Sequence, residues 1–170
     1  RGLQSGGTSA CPKHFACNNQ ETNRNRNDSR VSKRALREIY LRGFEIAVKE
    51  GRNVLIMTSY NPVNGDWSAS NYDLTTTILR NEWGYEGVVM TDWWAKCNRA
   101  GEAGTTENLE AMVWAQNDLY MVCENAQDRS RSILRGLAEG YITRGDLQRN
   151  AMNLLRLILK TPTFERYIKN

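Results

Sequence analysis

The sequence is poor in histidine, in proline and in long apolar runs. Its 170 residues include one histidine, His14, and three prolines. A single histidine excludes the common zinc sites built from several histidines, and we predict no metal. No run of about 18 apolar residues occurs, so we predict no membrane-spanning helix and no membrane partner. No glycine-rich loop follows a strand, which disfavours nucleotide binding, and we predict no cofactor.

Cysteine is present but lacks the spacing of a metal or redox motif. Cys11, Cys17, Cys97 and Cys123 form no Cys-x-x-Cys pair, and we predict free thiols. The chain begins with Arg1 and shows no charged segment leading into an apolar stretch. We therefore expect a fragment without a signal peptide, and the cytoplasm is the favoured location.

The composition is that of an ordinary globular domain, with 40% hydrophobic and 25% charged residues and a net charge of +4. Much of this charge lies in one basic segment, which Asp28 and Glu38 interrupt. Its members are Arg24, Arg26, Arg30, Lys33, Arg34 and Arg37. Apolar residues at helical spacing within and after the segment favour a solvated helix face, and we predict no nucleic-acid partner.

Short apolar runs alternate with longer segments of helical period. The runs predict four buried strands, at Ser9 to Phe15, Val54 to Tyr60, Gly87 to Trp93 and Asp118 to Val122. The first helix is expected to run from an N-cap at Ser32 to Gly51, with Ile39 and Tyr40 on its apolar stripe. A second helix follows the cap Asn71, a third runs through Leu109 to Val113, and a fourth runs through Ile133 to Tyr141. A last helix holds Leu147 to Ile158, with Pro162 beyond it.

Strands alternating with helices predict an α/β fold with a parallel sheet. Two architectures are open at this point. One is a small doubly wound domain, and the other is half of an eight-unit (β/α) barrel, which needs about 250 residues when complete. In either fold, reactive groups gather at the carboxyl ends of the strands.

Asp92 closes the third predicted strand and is followed by Trp93 and Trp94. This order suits a carboxylate nucleophile facing a sugar, because indole offers an apolar platform to the C–H face of a pyranose. The structural alternative is an N-cap or a buried ion pair with Lys13. Lys13 and His14, at the end of the first predicted strand, are candidates for binding sugar hydroxyls, or else a salt-bridge lysine beside a core histidine.

At these strand ends the sequence resembles the β-glucosidases of glycoside hydrolase family 3. The matching stretches are Lys13-His14-Phe15 with Asn18-Asn19-Gln20-Glu21, Arg34 to Leu41, Met57-Thr58-Ser59-Tyr60-Asn61 with Asn64-Gly65, Leu79-Arg80 with Glu82-Trp83-Gly84, and Thr91-Asp92-Trp93. Their order and spacing cover most of the chain, so together they are far more specific than any one of them alone.

The resemblance implies roles for individual residues. Asp92 resembles the catalytic nucleophile, Lys13 and His14 the pair that binds the hydroxyls of the transferred sugar, and Tyr60 and Trp93 the residues that line the subsite beside the cleaved bond. Such enzymes remove a terminal β-linked sugar with retention, through a covalent intermediate on the aspartate, and use a second carboxyl as acid and then base. Those two carboxyls lie about 5–5.5 Å apart.

The resemblance also has departures. In the β-glucosidase branch the acid/base glutamate lies in a following domain, and further glycone-binding residues lie in the earlier barrel half; neither region is in this sequence. The branch that cleaves N-acetylhexosamine carries a further loop histidine, whereas His14 stands alone here, which favours a glucosidase-like or xylosidase-like enzyme. Gln116 occupies a position where the family usually has glycine.

We therefore expect residues 1–170 to be the second half of a family 3 (β/α)8 barrel, with four parallel β/α units plus an extra C-terminal helix. Its substrate would be a terminal β-glycoside. The exposed strand edges of a half barrel predict self-association or dependence on the missing barrel half and second domain. The alternative is a noncatalytic carbohydrate-binding or structural α/β domain in which Asp92 is only a capping or ion-pair residue.

Overall fold

A parallel three-stranded sheet forms the centre of the molecule. The computed structural model describes residues 1–122, 124 and 126–168. Strands β1 (Leu55–Met57), β4 (Val88–Trp93) and β5 (Leu119–Met121) pair in the order β1-β4-β5, with Leu55 opposite Val88 and Met90 opposite Leu119. The three strands of this sheet lie side by side in the order in which they occur along the chain, and strands of a barrel wall have this order. A doubly wound sheet reverses its order at a switch point.

The first predicted strand, Ser9 to Phe15, is not a strand, and this prediction was wrong. The segment runs beside β1 but forms only a single parallel bridge, between Phe15 and Thr58. Met57 donates its N–H to the carbonyl of Pro12 and accepts from the N–H of Phe15, at 3.2 and 2.8 Å. Two residues, Lys13 and His14, therefore lie where a regular parallel ladder has one, and this bulge breaks the strand.

The first predicted helix is divided into three parts. Helix α2 (Lys33–Ala35) is capped by Ser32 as predicted, since its Oγ accepts from the N–H of Ala35 at 3.2 Å. A π-helical turn at Leu36–Tyr40 and helix α3 (Arg42–Lys49) follow. The wider π turn shifts the phase of the apolar stripe by one residue. Leu41 is consequently buried, whereas Ile39 and Tyr40, predicted on the stripe, are exposed.

Most of the remaining helices occupy the predicted segments. A π-helix spans Asp73–Glu82 after the cap at Asn71, which accepts from the N–H of Leu74 at 3.0 Å. Helices α4 (Leu109–Trp114), α5 (Ala126–Ala138) and α6 (Arg144–Leu159) follow, and Tyr141 lies beyond the end of α5. Pro162, expected only to stop α6, opens a further helix, α7 (Pro162–Ile168), where its fixed φ suits a first turn.

Other short elements were also not predicted. They are helix α1 (Gly2–Ser5), the antiparallel hairpin of β2 (Pro62–Val63) and β3 (Asp66–Trp67), and a 3-10 helix at Ser68–Ser70. The hairpin turns at Asn64-Gly65, which have φ of 53° and 102°. Positive φ at both central residues matches the type I′ turn that the Asn-Gly pair favours. The hairpin carries Trp67 to the end of the sheet where Tyr60 emerges.

Buried apolar residues form two clusters. One is built around Phe15, Ile56, Leu79 and Val89, and the other around Leu109, Met112, Tyr120 and Ile142. Within the described residues, no helix is both long enough and apolar enough to span a membrane. Cys11, Cys17 and Cys97 are free thiols, as predicted, and Cys123 lies outside the described residues.

Four of the arginines in the predicted basic segment form ion pairs. Arg24 pairs with Glu21 at 2.7 Å, Arg30 with Asp28 at 2.6 Å and Arg34 with Glu38 at 3.0 Å. Arg37 forms a two-bond ion pair with Glu82 at 2.5 and 2.7 Å. These pairs neutralise much of the segment, which a phosphate-binding surface would need unpaired.

Candidate active site

Asp92 lies near the carboxyl end of β4, and an irregularity in the strand sets its direction. Between Met90 and Trp93 the register against β5 shifts, because three steps along β4 correspond to two along β5. The N–H of Met121 bonds to Oγ1 of Thr91 at 2.9 Å. Thr91 and Asp92 are both buried. Bulges of this kind occur beside active sites, where they re-aim a side chain.

A backbone N–H and an imidazole contact the Asp92 carboxylate. Its Oδ1 accepts a hydrogen bond from the N–H of Trp93 at 2.8 Å, and its Oδ2 lies 3.3 Å from Nε2 of His14. The residue is only 8% exposed. Among the described residues its ionic partner is His14 and not Lys13, so the predicted structural alternative of an Asp92–Lys13 pair is not formed.

His14 is held neutral beside this carboxylate. Burial lowers the pKa of the imidazole, and the positive charges of Lys13 and Arg24 lower it further, against the opposing pull of Asp92. The pair is therefore a polar contact of 3.3 Å between a neutral imidazole and the carboxyl group of Asp92.

Tyr60 follows β1 and faces the same carboxylate. Burial raises the pKa of its phenol, and the negative charge of Asp92 raises it further, so the hydroxyl keeps its proton. The guanidinium of Arg24 lies 4.8 Å from the centroid of the Tyr60 ring, in cation–π geometry. Arg24, which the sequence analysis placed only in the basic segment, thus contacts a predicted site residue.

The five predicted site residues gather at one edge of the sheet. The structure brings His14, Tyr60 and Trp93 to Asp92, and it places the exposed Lys13 next to His14, whose pKa its charge affects. Trp93 is 47% exposed. The roles that the resemblance implies for these residues remain predictions, since position alone does not test them.

A shallow cleft of about 170 Å³ adjoins the carboxylate through Tyr60 and Trp93. It is lined by Asn25, Tyr60, Trp67, Trp93, Trp94 and Lys96. Trp67, Asn25 and Lys96 were not identified from the sequence. The Asn64-Gly65 hairpin signal would have placed Trp67 on a turn after β1 and so near this edge.

A larger groove, of about 980 Å³, lies at the opposite ends of the strands, where Val54 precedes β1 and Val88 begins β4. It holds none of the predicted site residues. In barrel folds this face serves stability, whereas the carboxyl face carries the chemistry. Among residues 1–122, 124 and 126–168, histidine, cysteine and acidic side chains form no group of three able to hold a metal ion.

Comparison with known proteins decides the family. A sequence model described as the glycosyl hydrolase family 3 N terminal domain matches residues 1–157. The chain belongs to glycoside hydrolase family 3.

Relatives within family 3 cover almost the whole chain. It is 50% identical over 165 residues to a β-glucosidase of Ruminococcus albus, which covers 97% of this chain and 17% of that protein. A β-glucosidase structure from Paenibacillus barengoltzii is 59% identical, with a TM-score of 0.89 over 95% of this chain and 18% of that one. An exo-α-(1→6)-L-arabinopyranosidase of Bifidobacterium longum is 42% identical over 160 residues, 94% of this chain and 19% of that protein.

The chain thus spans less than a fifth of the length of these family 3 relatives. The resemblance read from the strand-end motifs is confirmed by the matched family. The Gln116 departure also has a structural meaning. Its φ of 65° lies in the left-handed region that glycine adopts most easily, and glycine is the residue that the resemblance led us to expect there.

Proposed function

We propose that this chain is the nucleophile-bearing part of a retaining, exo-acting β-glycosidase of the β-glucosidase type. It would hydrolyse terminal β-linked sugars by double displacement. The observation that carries the proposal is the Asp92 carboxylate, buried at the carboxyl end of β4, held by His14 at 3.3 Å and adjoining an aromatic cleft. The names of the family 3 relatives, two β-glucosidases among them, support a glycoside hydrolase.

Asp92 would attack the anomeric carbon of the sugar. As the new C–O bond forms, the bond to the leaving oxygen breaks, and that oxygen takes a proton from a second carboxyl group. The same second group then removes a proton from water, whose oxygen attacks the anomeric carbon as the glycosyl–aspartate bond breaks and the carboxylate is freed. The N–H of Trp93 and the imidazole of His14 orient Asp92 for this attack.

The second carboxyl has no good candidate near Asp92 among the described residues. Glu21 is the other carboxylate whose charge reaches His14, but it is exposed and bound to Arg24 at 2.7 Å. A proton donor at neutral pH instead needs a raised pKa, which burial away from cations provides. We therefore propose that the acid/base residue belongs to another part of a longer polypeptide.

Two open surfaces support the proposal that residues 1–170 form the second half of a barrel domain. Strand β5 ends the sheet order, so its outer edge has no strand partner within the described residues. On α6, four apolar side chains at helical spacing are about half exposed, namely Met152, Leu155, Ile158 and Leu159. Pairing with the missing half, or with a second copy, would cover both.

The free thiols of Cys11, Cys17 and Cys97 suit the cytoplasmic location that we propose.

The test is Asp92→Asn in the complete polypeptide that carries this chain, assayed with an aryl β-glucoside. Loss of the nucleophile should lower kcat/KM by at least about a thousandfold. Asp73→Asn is the matched control, because Asp73 is an exposed aspartate on the π-helix, and it should change kcat/KM by less than about twofold. Retained turnover in Asp92→Asn would refute the assignment, and a wild type that binds glucose without any turnover would favour the binding-domain alternative.

A further inference from the structure

The hydroxyl of Thr91 takes the place of a backbone carbonyl in the central sheet. Trp93 pairs with Met121, so a regular parallel ladder would direct the N–H of Met121 to the carbonyl of Asp92. This N–H bonds Oγ1 of Thr91 instead, at 2.9 Å. Thr91 is buried, and an unpaired N–H in such a place is costly, so the hydroxyl is the group that makes the irregular ladder stable.

The bond from Met121 to the hydroxyl frees the carbonyl of Asp92. That carbonyl accepts from the N–H of Ala95 at 3.3 Å, in the turn that follows β4. The carbonyl of Met121 in turn accepts from the N–H of Trp94 at 2.7 Å. The two backbone polar atoms of Met121 are therefore bound by Thr91 and Trp94, whose positions differ by one residue more than in a regular ladder. Asp92 lies between these two bonds.

One peptide plane links the freed carbonyl to the carboxylate. The carbonyl of Asp92 and the N–H of Trp93 belong to the same trans peptide, so they point in opposite directions and turn together. With the carbonyl bound to Ala95, this N–H meets Oδ1 of Asp92 at 2.8 Å. A carbonyl that turned back to Met121 would carry the N–H away from Oδ1, and the carboxylate would lose its backbone contact.

We propose that Thr91 is a positioning residue for the nucleophile, and that its hydroxyl keeps the bulge in β4 and thereby aims the Asp92 carboxylate at the anomeric carbon. This inference rests on the proposed function. The requirement is for an acceptor oxygen at this position and not for side-chain volume. Serine therefore satisfies it, whereas valine, which has nearly the shape of threonine but no oxygen, does not.

The experiment measures how fast a 2-fluoro β-glucoside with a good leaving group labels the complete polypeptide, by mass spectrometry. Such a leaving group departs without a proton, so the labelling rate at saturation reports the attack by Asp92 alone. Thr91→Val should lower this rate by about 10- to 100-fold, because a misplacement of about 1 Å costs up to about a hundredfold. Thr91→Ser should stay within about threefold of the wild type, and the half-saturating concentration should change little in both.

Thr76→Val is the matched control, because Thr76 is also buried and its Oγ1 donates to the carbonyl of Ala115 at 2.9 Å, away from the site. It should lower the thermal unfolding temperature and leave the labelling rate within about twofold, which separates lost stability from lost aim. If Thr91→Val does not fold, Thr91→Cys replaces it. Sulfur is a weak acceptor of serine-like size, so Thr91→Cys should label about tenfold more slowly than Thr91→Ser.

Wild-type labelling by folded Thr91→Val, or equal rates for Thr91→Ser and Thr91→Cys, would overturn the positioning role. So would a fall in Thr76→Val as large as that in Thr91→Val. Failure of the proposed function looks different, because the label would then be missing from the Asp92 peptide in the wild type itself. That result would remove the nucleophile and the role of Thr91 together.

Discussion

Removing the imidazole of His14 should weaken catalysis by an amount that the site geometry sets. The Nε2–Oδ2 distance of 3.3 Å to Asp92 is longer than the 2.7–2.9 Å of the strongest charge-assisted hydrogen bonds. Hydrogen bonds to charged groups contribute about 1.5–3 kcal/mol, and we assign the lower limit to this longer polar contact. A loss of about 1.5 kcal/mol corresponds to about a tenfold fall in kcat/KM for His14→Ala.

The assay is steady-state hydrolysis of an aryl β-glucoside by the complete polypeptide, with folding checked by thermal unfolding. His14→Gln keeps an N–H donor and should recover most of the lost activity, which separates orientation of Asp92 from simple packing. A fall of less than about twofold in His14→Ala, or no recovery in His14→Gln, would refute the idea that His14 positions the nucleophile.

Other outcomes follow from named contacts. Burial lowers the pKa of His14, so the native state binds protons less readily than the unfolded state; stability should rise with pH up to about 6.5 in the wild type, more steeply than in His14→Gln, by thermal unfolding. Asp118→Ala strands the buried Arg80, whose Nη2 lies 2.7 Å from Oδ2 of Asp118, and should lower the free energy of unfolding by about 3–5 kcal/mol in urea titration; a loss under 1 kcal/mol would contradict this. Gln116→Gly should raise the free energy of unfolding by about 1 kcal/mol, because φ is 65° at this position, and a decrease would show that the left-handed strain is absent. The isolated 170-residue chain should turn over an aryl β-glucoside at least about a hundredfold more slowly than the complete polypeptide, for want of an acid, and equal turnover would refute the fragment hypothesis.

The sequence predicted the α/β order and the sheet edge that carries the site. Apolar runs at Val54 to Tyr60, Gly87 to Trp93 and Asp118 to Val122 all contain strands of the central sheet. Because parallel strands share a carboxyl edge, polar and aromatic residues at the ends of the first two runs were expected to meet, and Tyr60 and Asp92 do lie together.

Local irregularity was beyond the sequence because it alters pairing without altering composition. One extra residue at Lys13-His14 turns an apparent strand into a bulge, and a π turn at Leu36–Tyr40 moves Leu41 into the core in place of Tyr40. The apolar residues of both segments nevertheless follow the spacing of a regular strand or helix. The hairpin was a different case, since Asn64-Gly65 is a strong turn signal that only the family resemblance had drawn on.

At Asp92 the residues alone and the family resemblance supported different parts of the prediction. A carboxylate after an apolar strand was compatible with a cap, an ion pair or a nucleophile. The structure gives it His14 as a partner, a buried environment and an aromatic cleft alongside. The role of Asp92 as the nucleophile is a prediction that only a catalytic experiment tests.

Covalent trapping of the nucleophile tests this role most directly. The complete polypeptide is incubated with a 2-fluoro β-glucoside bearing a good leaving group, digested and mapped by mass spectrometry. A glycosyl label on the peptide that carries Asp92, absent from the Asp92→Asn variant, is the expected result. A label on another carboxylate, with Asp92 unmodified, would contradict the account.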